Sequence, residues 1–307
     1  MPWFDVLRRP KHCVGLEFGG DYLSVAVSTL AERRLRHVSV LRADTAPTEL
    51  SQWTPRLKAF VEKHQLKAQY CSVVMNVADY QLLLVEAPDV PDEEMREAVR
   101  WRIKDLINVP VEAAVVDVFP VPSDASRAGK KMLYVVVATR EWITRVIDLV
   151  RAADLQLRAI DIEVLALRNL TLNLAAERGL ALVRLRPGVG DVSIFKQGNL
   201  YLTRHFKLNY SGGLLDDLPD EALALEVQRS FDYVERQMGQ VPPSQVYVCG
   251  EGLGAEKITD SLRKAMPAQV AYFDLADHLQ FAQEPADEGI AQLCVAAAGG
   301  ALREEVA

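Results

Sequence analysis

The sequence predicts an α/β protein built as two units. Three observations carry that expectation. Apolar runs with strand periodicity alternate with longer runs of helical periodicity along the chain. A strand–turn–strand unit followed by α/β elements occurs twice, from residue 14 and again from residue 180, without a sequence repeat. The 307 residues suit about two domains of ordinary size.

The first unit opens with the stretch 14–28. Leu23, Val25 and Val27 alternate with Ser24, Ala26 and Ser28, the period of a half-buried hairpin strand. Gly19-Gly20 with Asp21 predicts a tight turn of left-handed backbone. The same glycines would let backbone N–H groups approach an anion with no Cβ in the way. A third strand is expected at 36–41, then a helix at 51–64 with Trp53, Leu57, Phe60 and Val61 at helical spacing. Strands follow at 71–77 and 80–85. Pro91 sits where a helix would begin, with Asp92, Glu93 and Glu94 suited to the positive end of its dipole. Met95, Val99, Ile103, Leu106 and Ile107 share one face of it, Trp101 lies off that face, and Asn108-Val109-Pro110 ends it. Strands at 113–120 and 132–138 are joined by a polar loop at 123–131. Thr139 caps a helix carrying Ile143, Val146, Ile147 and Val150. A strand at 155–160 and a helix at 162–176 follow.

Gly179 marks the expected boundary. Strands are predicted at 180–185, 191–196 and 200–206, with turns at Pro187-Gly188 and Gln197-Gly198-Asn199. Leu223, Val227, Phe231, Val234 and Met238 line one side of a long helix at 221–238. A strand at 245–249 ends in Gly250-Glu251-Gly252, and a helix at 255–265, a strand at 270–273 and a helix at 289–303 complete the pattern.

A net charge of −7 argues against a general nucleic-acid binder, which needs clustered Lys and Arg to neutralise phosphates. The basic cluster is Arg8-Arg9-Pro10-Lys11-His12. With Trp3, Phe4 and Leu7 it suits contact with an anionic membrane surface, or a leader of no fixed structure. No apolar run approaches the roughly 20 residues that span a bilayer, so no direct membrane span is expected. Cys13, Cys71, Cys249 and Cys294 form no CxxC pair, which argues against a zinc site and for buried, reduced thiols of a cytosolic protein. The five histidines are scattered singly, and no Gly-x-Ser-x-Gly or His-Glu-x-x-His pattern supplies a catalytic set.

Four segments in this order resemble the PilM family of actin-like type IV pilus assembly proteins. They are Gly15-Leu-Glu-Phe-Gly-Gly20; Val90-Pro-Asp-Glu-Glu-Met-Arg-Glu-Ala-Val-Arg-Trp101; Glu226-Val-Gln-Arg-Ser-Phe-Asp-Tyr233; and Val246-Tyr-Val-Cys-Gly-Glu-Gly252. The closing Val295-Ala-Ala-Ala-Gly-Gly-Ala-Leu-Arg303 also matches. Within the family the sequence is most similar to the MshI type, of mannose-sensitive haemagglutinin (MSHA) pilus systems. The cytoplasmic domain of the secretion protein GspL is related. The resemblance implies an actin-like (ribonuclease H-like) fold in two lobes, 1–178 and 179–307, with an FtsA/PilM-type subdomain inserted at about 88–138 and the helix at 289–303 packing back on the first lobe. It also implies a cytoplasmic location, peripheral at the inner membrane. The partners implied are the tail of a PilN-like bitopic inner-membrane protein, held as an extended peptide in a groove of the first lobe, and other platform components. Tyr80, Arg100 and Trp101 are candidate contacts in that groove.

An actin-like ATPase needs an acidic residue on each of two phosphate hairpins and a glycine turn against the adenosine; ATP with Mg²⁺ is thus the cofactor to consider. The candidate nucleotide-cleft residues are Gly15, Glu17, Gly19, Gly20 and Asp21; Gly188 and Gly190; Gly212 and Gly213; Glu226 and Arg229; and Gly250 and Gly252. Each element departs from the family pattern. Glu17 stands where the family has Asp, and Asp21 adds a negative charge near the phosphates. Arg184-Leu185-Arg186 stands where the family has Asp, an aliphatic residue and Gly, and Asp191 would substitute only in a shifted register. Glu251 separates Gly250 from Gly252, and few residues join Gly213 to Glu226, which reduces the second lobe. Arg184 and Arg186 are expected to be solvated strand residues, unless they bind phosphate or pair with Glu17 and Asp21 across the cleft. These departures argue for a non-enzymatic scaffold with a vestigial cleft and no metal site. The alternatives are an ATP-binding switch or weak ATPase of the same machinery and, less well matched in length, a small-molecule kinase of this fold.

Overall fold

The computed structural model describes residues 10–125, 129–172, 174, 178–213, 217–278 and 287–304. The chain opens with an antiparallel meander, β1 (His12–Phe18), β2 (Tyr22–Thr29) and β3 (Arg34–Arg42), and α1 (Thr54–Lys63) crosses to β4 (Tyr70–Met75). A separate antiparallel sheet follows, made of β5 (Tyr80–Glu86), β6 (Ala114–Pro120) and β7 (Met132–Thr139), with α2 (Met95–Arg102) against it. Helix α3 (Arg140–Ala152) returns to β8 (Gln156–Ile162), and α4 (Glu163–Thr171) leads onward. A second meander, β9 (Leu180–Arg186), β10 (Val189–Lys196) and β11 (Asn199–Lys207), precedes α5 (Asp220–Tyr233) and β12 (Gln245–Gly250). Then come α6 (Asp260–Ala265), β13 (Gln269–Tyr272), α7 (Leu275–His278), α8 (Glu288–Leu293) and α9 (Val295–Ala301).

The two large sheets share one topology. Their orders are β3-β2-β1-β4-β8 and β11-β10-β9-β12-β13, each a meander with two strands added in parallel beside its first strand. The duplication expected from the hairpin repeat is therefore present at the level of strand order.

Both faces of the first sheet are covered. Val14, Leu16, Leu23, Val25 and Val27 pack with Leu57, Phe60, Val146 and Val150 of α1 and α3. The opposite face meets α8 and α9, so Ser24 and Ser28 are buried rather than solvated. Their hydroxyls donate to the carbonyls of Leu293 and Ala301, at 2.7 and 2.6 Å, which satisfies groups that burial would otherwise leave costly. Small residues make this seam possible: a Cβ on Gly15 would lie 1.9 Å from the Ala297 carbonyl oxygen. The three-stranded sheet is likewise two-sided. Leu83, Val85, Val135 and Val137 pack with Val99 and Ile103, whereas Tyr80, Leu82, Tyr134 and Val136 face the core that contains β10 and β11.

Several local expectations change. Neither Gly19 nor Gly20 has a positive φ. A Cβ at Gly19 would instead meet the Tyr22 ring at 2.3 Å, while Gly20 has nothing within 4 Å. The helix expected from Pro91 is shorter and begins at Met95, because 91–94 closes as a tighter turn with Glu94 N–H donating to the Pro91 carbonyl. Leu106 falls beyond its end and is 58% exposed. The helix expected at 255–265 is a 3₁₀ turn, Ala255–Lys257, then α6 capped by the Thr259 hydroxyl. The last helix is broken at Cys294 into α8 and α9. The leader 1–9, part of the loop at 123–131 and the end of the helix expected to residue 176 lie outside the described residues. All four cysteines are buried free thiols, and burial pushes Cys249 and Cys294 up to about 12.

Candidate functional site

The central strands of the two large sheets each bring a charged residue into the interior. Glu17 lies near the end of β1 and Arg184 lies in β9. Their side chains are 2% and 3% exposed, and Arg184 Nη2 donates to Glu17 Oε1 at 2.6 Å. Glu163, the first residue of α4, is 2% exposed and lies 3.4 Å from Arg184 Nη1. Arg186 Nη1 donates to both Glu163 oxygens, at 2.6 and 2.5 Å, and Arg186 Nη2 to Asp191. Asp191 Oδ1 is 2.9 Å from His205 Nδ1. A continuous network thus runs from β1 through α4 and β9 to β10 and β11.

The strand register sets half of this arrangement. Asp191 pairs with Arg184 across the β9–β10 hairpin and with His205 across β10–β11. Glu163 arrives differently, from a helix that begins directly after β8. The expectation that Arg184 and Arg186 are solvated is overturned, because both sheets and α4 close over them. The proposed pairing across the cleft is present for Glu17 and Arg184. It is absent for Asp21, which is exposed and 3.8 Å from Arg42 on the neighbouring strand. Arg186 takes Glu163 and Asp191 instead.

Three carboxylates face two guanidiniums, so the network holds an excess of negative charge unless it also holds a proton. Burial pushes the Glu17 carboxyl up, and repulsion from Glu163 adds to this against the pull of Arg184. Burial also raises Asp191, again with Glu163 adding to it. For Glu163, burial opposes ionisation, but Arg184 and Arg186 outweigh it and hold the carboxyl below its ordinary range. Arg184 keeps its proton more firmly than usual: burial opposes the charge, and Glu163 with Glu17 outweighs it. Glu17 Oε2 and Arg184 Nε have no hydrogen-bond partner among the described residues.

The glycine residues expected along a cleft are drawn together against protein. Gly252 (φ +64°) approaches Gly212 so closely that a Cβ would lie 1.8 Å from the Gly212 carbonyl oxygen. Gly213 accepts from Lys257 Nζ at 2.6 Å, and Tyr210 Oη donates to the Glu251 carbonyl at 3.1 Å. Gly250 lies against the Leu185 backbone, and Gly190 against the Phe206 ring. Gly188 sits in the β9–β10 turn, with nothing near its Cβ position. Glu226 on α5 accepts from Arg204 Nη2 at 3.3 Å and from Arg229 Nη1.

Beside the network lies a cavity of about 270 Å³. Leu82, Leu84, Leu167 and Leu202 supply apolar walls, and Glu163 and Asp191 supply its acidic end. Strands β5 and β11, each at the edge of its sheet, flank it. Tyr80 lines this cavity. The other two candidate contacts are elsewhere: Arg100 donates to the Val111 carbonyl at 2.7 Å, and Trp101 is 65% exposed on α2. Glu163 was not singled out from the sequence. The available signal was an acid inside the apolar run Ile162-Glu163-Val164-Leu165-Ala166-Leu167. Among the described residues no group of three metal-ligating side chains occurs.

No protein-family model matches the sequence, and no curated protein matches it. Solved structures do. The PilM–PilN type IV pilus biogenesis complex is similar with a TM-score of 0.71 at 17% identity, over 96% of this chain and 98% of that one. A Bacteroides thetaiotaomicron protein with an actin-like ATPase fold is similar at 0.53 and 11%, over 88% and 93%. The cytoplasmic domain of EpsL, an inner-membrane component of the type II secretion system of Vibrio cholerae, is similar at 0.51 and 13%, over 93% of each chain. With the repeated strand order of its two large sheets, the chain therefore has the actin-like, two-lobed fold.

Proposed function

We propose that this chain is a non-enzymatic scaffold of a type IV pilus assembly platform, of the MSHA kind, acting at the cytoplasmic side of the inner membrane. Its lobes are read as 1–178 and 179–307, with the three-stranded sheet and α2 as the inserted subdomain, which starts at β5, before the 88–138 expected. The observation that carries the reading is Arg184, buried between Glu17 and Glu163. A magnesium-bound triphosphate needs acids free to hold water around the metal. Here Glu17 is engaged by a guanidinium fixed in the opposite sheet, so these residues do not fit that group.

The cavity flanked by β5 and β11 is the site we assign to the extended tail of a PilN-like partner; with β11 on one side it lies between the lobes, not within the first lobe as the resemblance implied. Free strand edges offer backbone pairing to an added segment, and the leucine walls offer pockets for alternate side chains. The similarity to the PilM–PilN complex supports this choice of partner. Among the described residues no helix is long and apolar enough to cross a membrane.

Calorimetry and thermal melts with millimolar-range Mg-ATP should give no heat and no shift, and turnover should stay at background. Mg²⁺-dependent turnover abolished by Glu17→Ala would establish the ATP switch instead. For the groove, the protein should recover a bitopic pilus component from native membranes. A peptide of that component's cytoplasmic tail should then bind Leu84→Asp at least about tenfold more weakly, because a charge in an apolar pocket must be desolvated. Undiminished binding by this variant would place the tail elsewhere.

A further inference from the structure

On the far side of the first sheet, away from the network, four basic side chains surround a second cavity. Its volume is about 240 Å³. Arg36 and His37 come from β3, Lys63 from the last turn of α1 and His64 from the residue after it, over a floor of Val27 and Leu66. The imidazoles of His37 and His64 lie tilted against each other with centroids 4.7 Å apart, and His64 stacks on Phe60 at 4.3 Å. No Asp or Glu lines the cavity. Among the described residues neither Arg36 nor Lys63 forms an ion pair with a carboxylate, although most other described arginines of this acidic chain do. Arg36 Nη1 instead lies 3.2 Å from His12 Nε2, bringing a further imidazole to the same edge.

We propose that this cavity binds a phosphate group, with Arg36, Lys63 and the protonated forms of His37 and His64 as its donors. Phosphate chemistry follows from the donors: a guanidinium, an ammonium and two imidazoles line one cavity, and charged N–H groups are what oxyanions accept from best. The end of α1 opposes an anion only weakly, because three carbonyls of its last turn already accept hydrogen bonds. His64 N–H donates to the Phe60 carbonyl, Gln65 N–H to Glu62 and Leu66 N–H to Val61.

The empty pocket resists protonation. Burial pushes His37 down, and His64, Lys63 and Arg36 add to this; burial also lowers His64, with Lys63 and Arg36 adding. A bound phosphate sets an attraction against that repulsion and stabilises both imidazolium ions. By linkage, affinity rises as pH falls through the imidazole range, and binding takes up protons. The phosphate can be free in solution or belong to a lipid headgroup. The latter is compatible with the adjoining Lys11 and the basic leader sequence.

The test is to titrate the histidine ring protons by NMR with and without inorganic phosphate. A parallel arm sediments the protein with vesicles of phosphatidylglycerol and phosphatidylcholine, or of phosphatidylcholine alone. Phosphate is expected to raise the midpoints of His37 and His64, and the double variant Arg36→Gln/Lys63→Gln to weaken binding about tenfold. Both substituted residues are exposed, so the fold should survive, as circular dichroism will check. Midpoints raised by free phosphate without sedimentation identify a soluble phosphate ligand. Phosphatidylglycerol-dependent sedimentation lost in the double variant identifies a headgroup. Titrations indifferent to phosphate, with sedimentation absent or unchanged in the double variant, overturn the proposal.

Discussion

Arg184→Met is expected to lose about 3–5 kcal/mol of folding stability at neutral pH, the usual cost of breaking a buried ion pair from one side. The thioether fills part of the vacated space, but the buried Glu17 and Glu163 then face each other with Arg186 the sole guanidinium left in the network. The loss should shrink in mild acid, since both carboxyls can then take up protons. Glu17→Gln should behave oppositely and stay within about 1 kcal/mol of the parent at neutral pH, because it removes the carboxylate in excess and leaves two acids facing two arginines.

The parent's own pH profile has two limbs. The folded Glu17 carboxyl holds its proton more tightly than the unfolded chain does. Its contribution is fully present below the ordinary glutamate value, 4.5, and is lost as pH rises through its raised folded value. Glu163, held below 4.5, contributes above that value and loses the contribution as pH falls through its folded one. Glu17→Gln should therefore shrink the limb above 4.5, to which the raised Asp191 carboxyl also contributes, and leave the acid limb in place. Urea unfolding across pH measures all three proteins. A neutral Arg184→Met variant would show that the network contributes nothing to folding.

Gly15→Ala should cost about 3 kcal/mol, the upper part of the range for overpacking a filled interior. The added methyl would lie 1.9 Å from the Ala297 carbonyl oxygen and 2.7 Å from the Ala301 amide nitrogen. Those are backbone atoms and cannot swing aside as a side-chain tip would. Nor can α9 retreat, because a Cβ position at Gly299 on its other flank is already 2.1 Å from the Ala166 carbonyl oxygen of α4. Gly20→Ala is the matched control. It has open space and an ordinary φ, so it should fall within about 1 kcal/mol of the parent, on the stabilising side if the unfolded chain loses freedom. Equal melting temperatures for the two variants would contradict the seam.

Much of the fold was legible because its periodicities are local. The alternation in β2, the apolar runs of β4 and β12 and the turns at Gly188 and Gly198 each report on neighbours within a few residues. Asp191 and His205 were also within reach, as hairpin register places them opposite each other. Burial of Ser24 and Ser28 was not, since the helices that cover them lie some 270 residues further along, as the separations of 269 and 273 show. Their pattern reads as a solvated face until those helices are in place.

The sequence by itself determined the strand-and-helix order and the doubled hairpin architecture, and it placed a cation, Arg184, on the first strand of the second hairpin. Only the tertiary structure decided what Arg184 does. A charged residue on a strand is solvated or buried according to what packs over it, and here Glu17 from 167 positions away and Glu163 from another element converge on it. Desolvation then makes pairing obligatory: the network exists because two lobes close on charges that neither could bury alone.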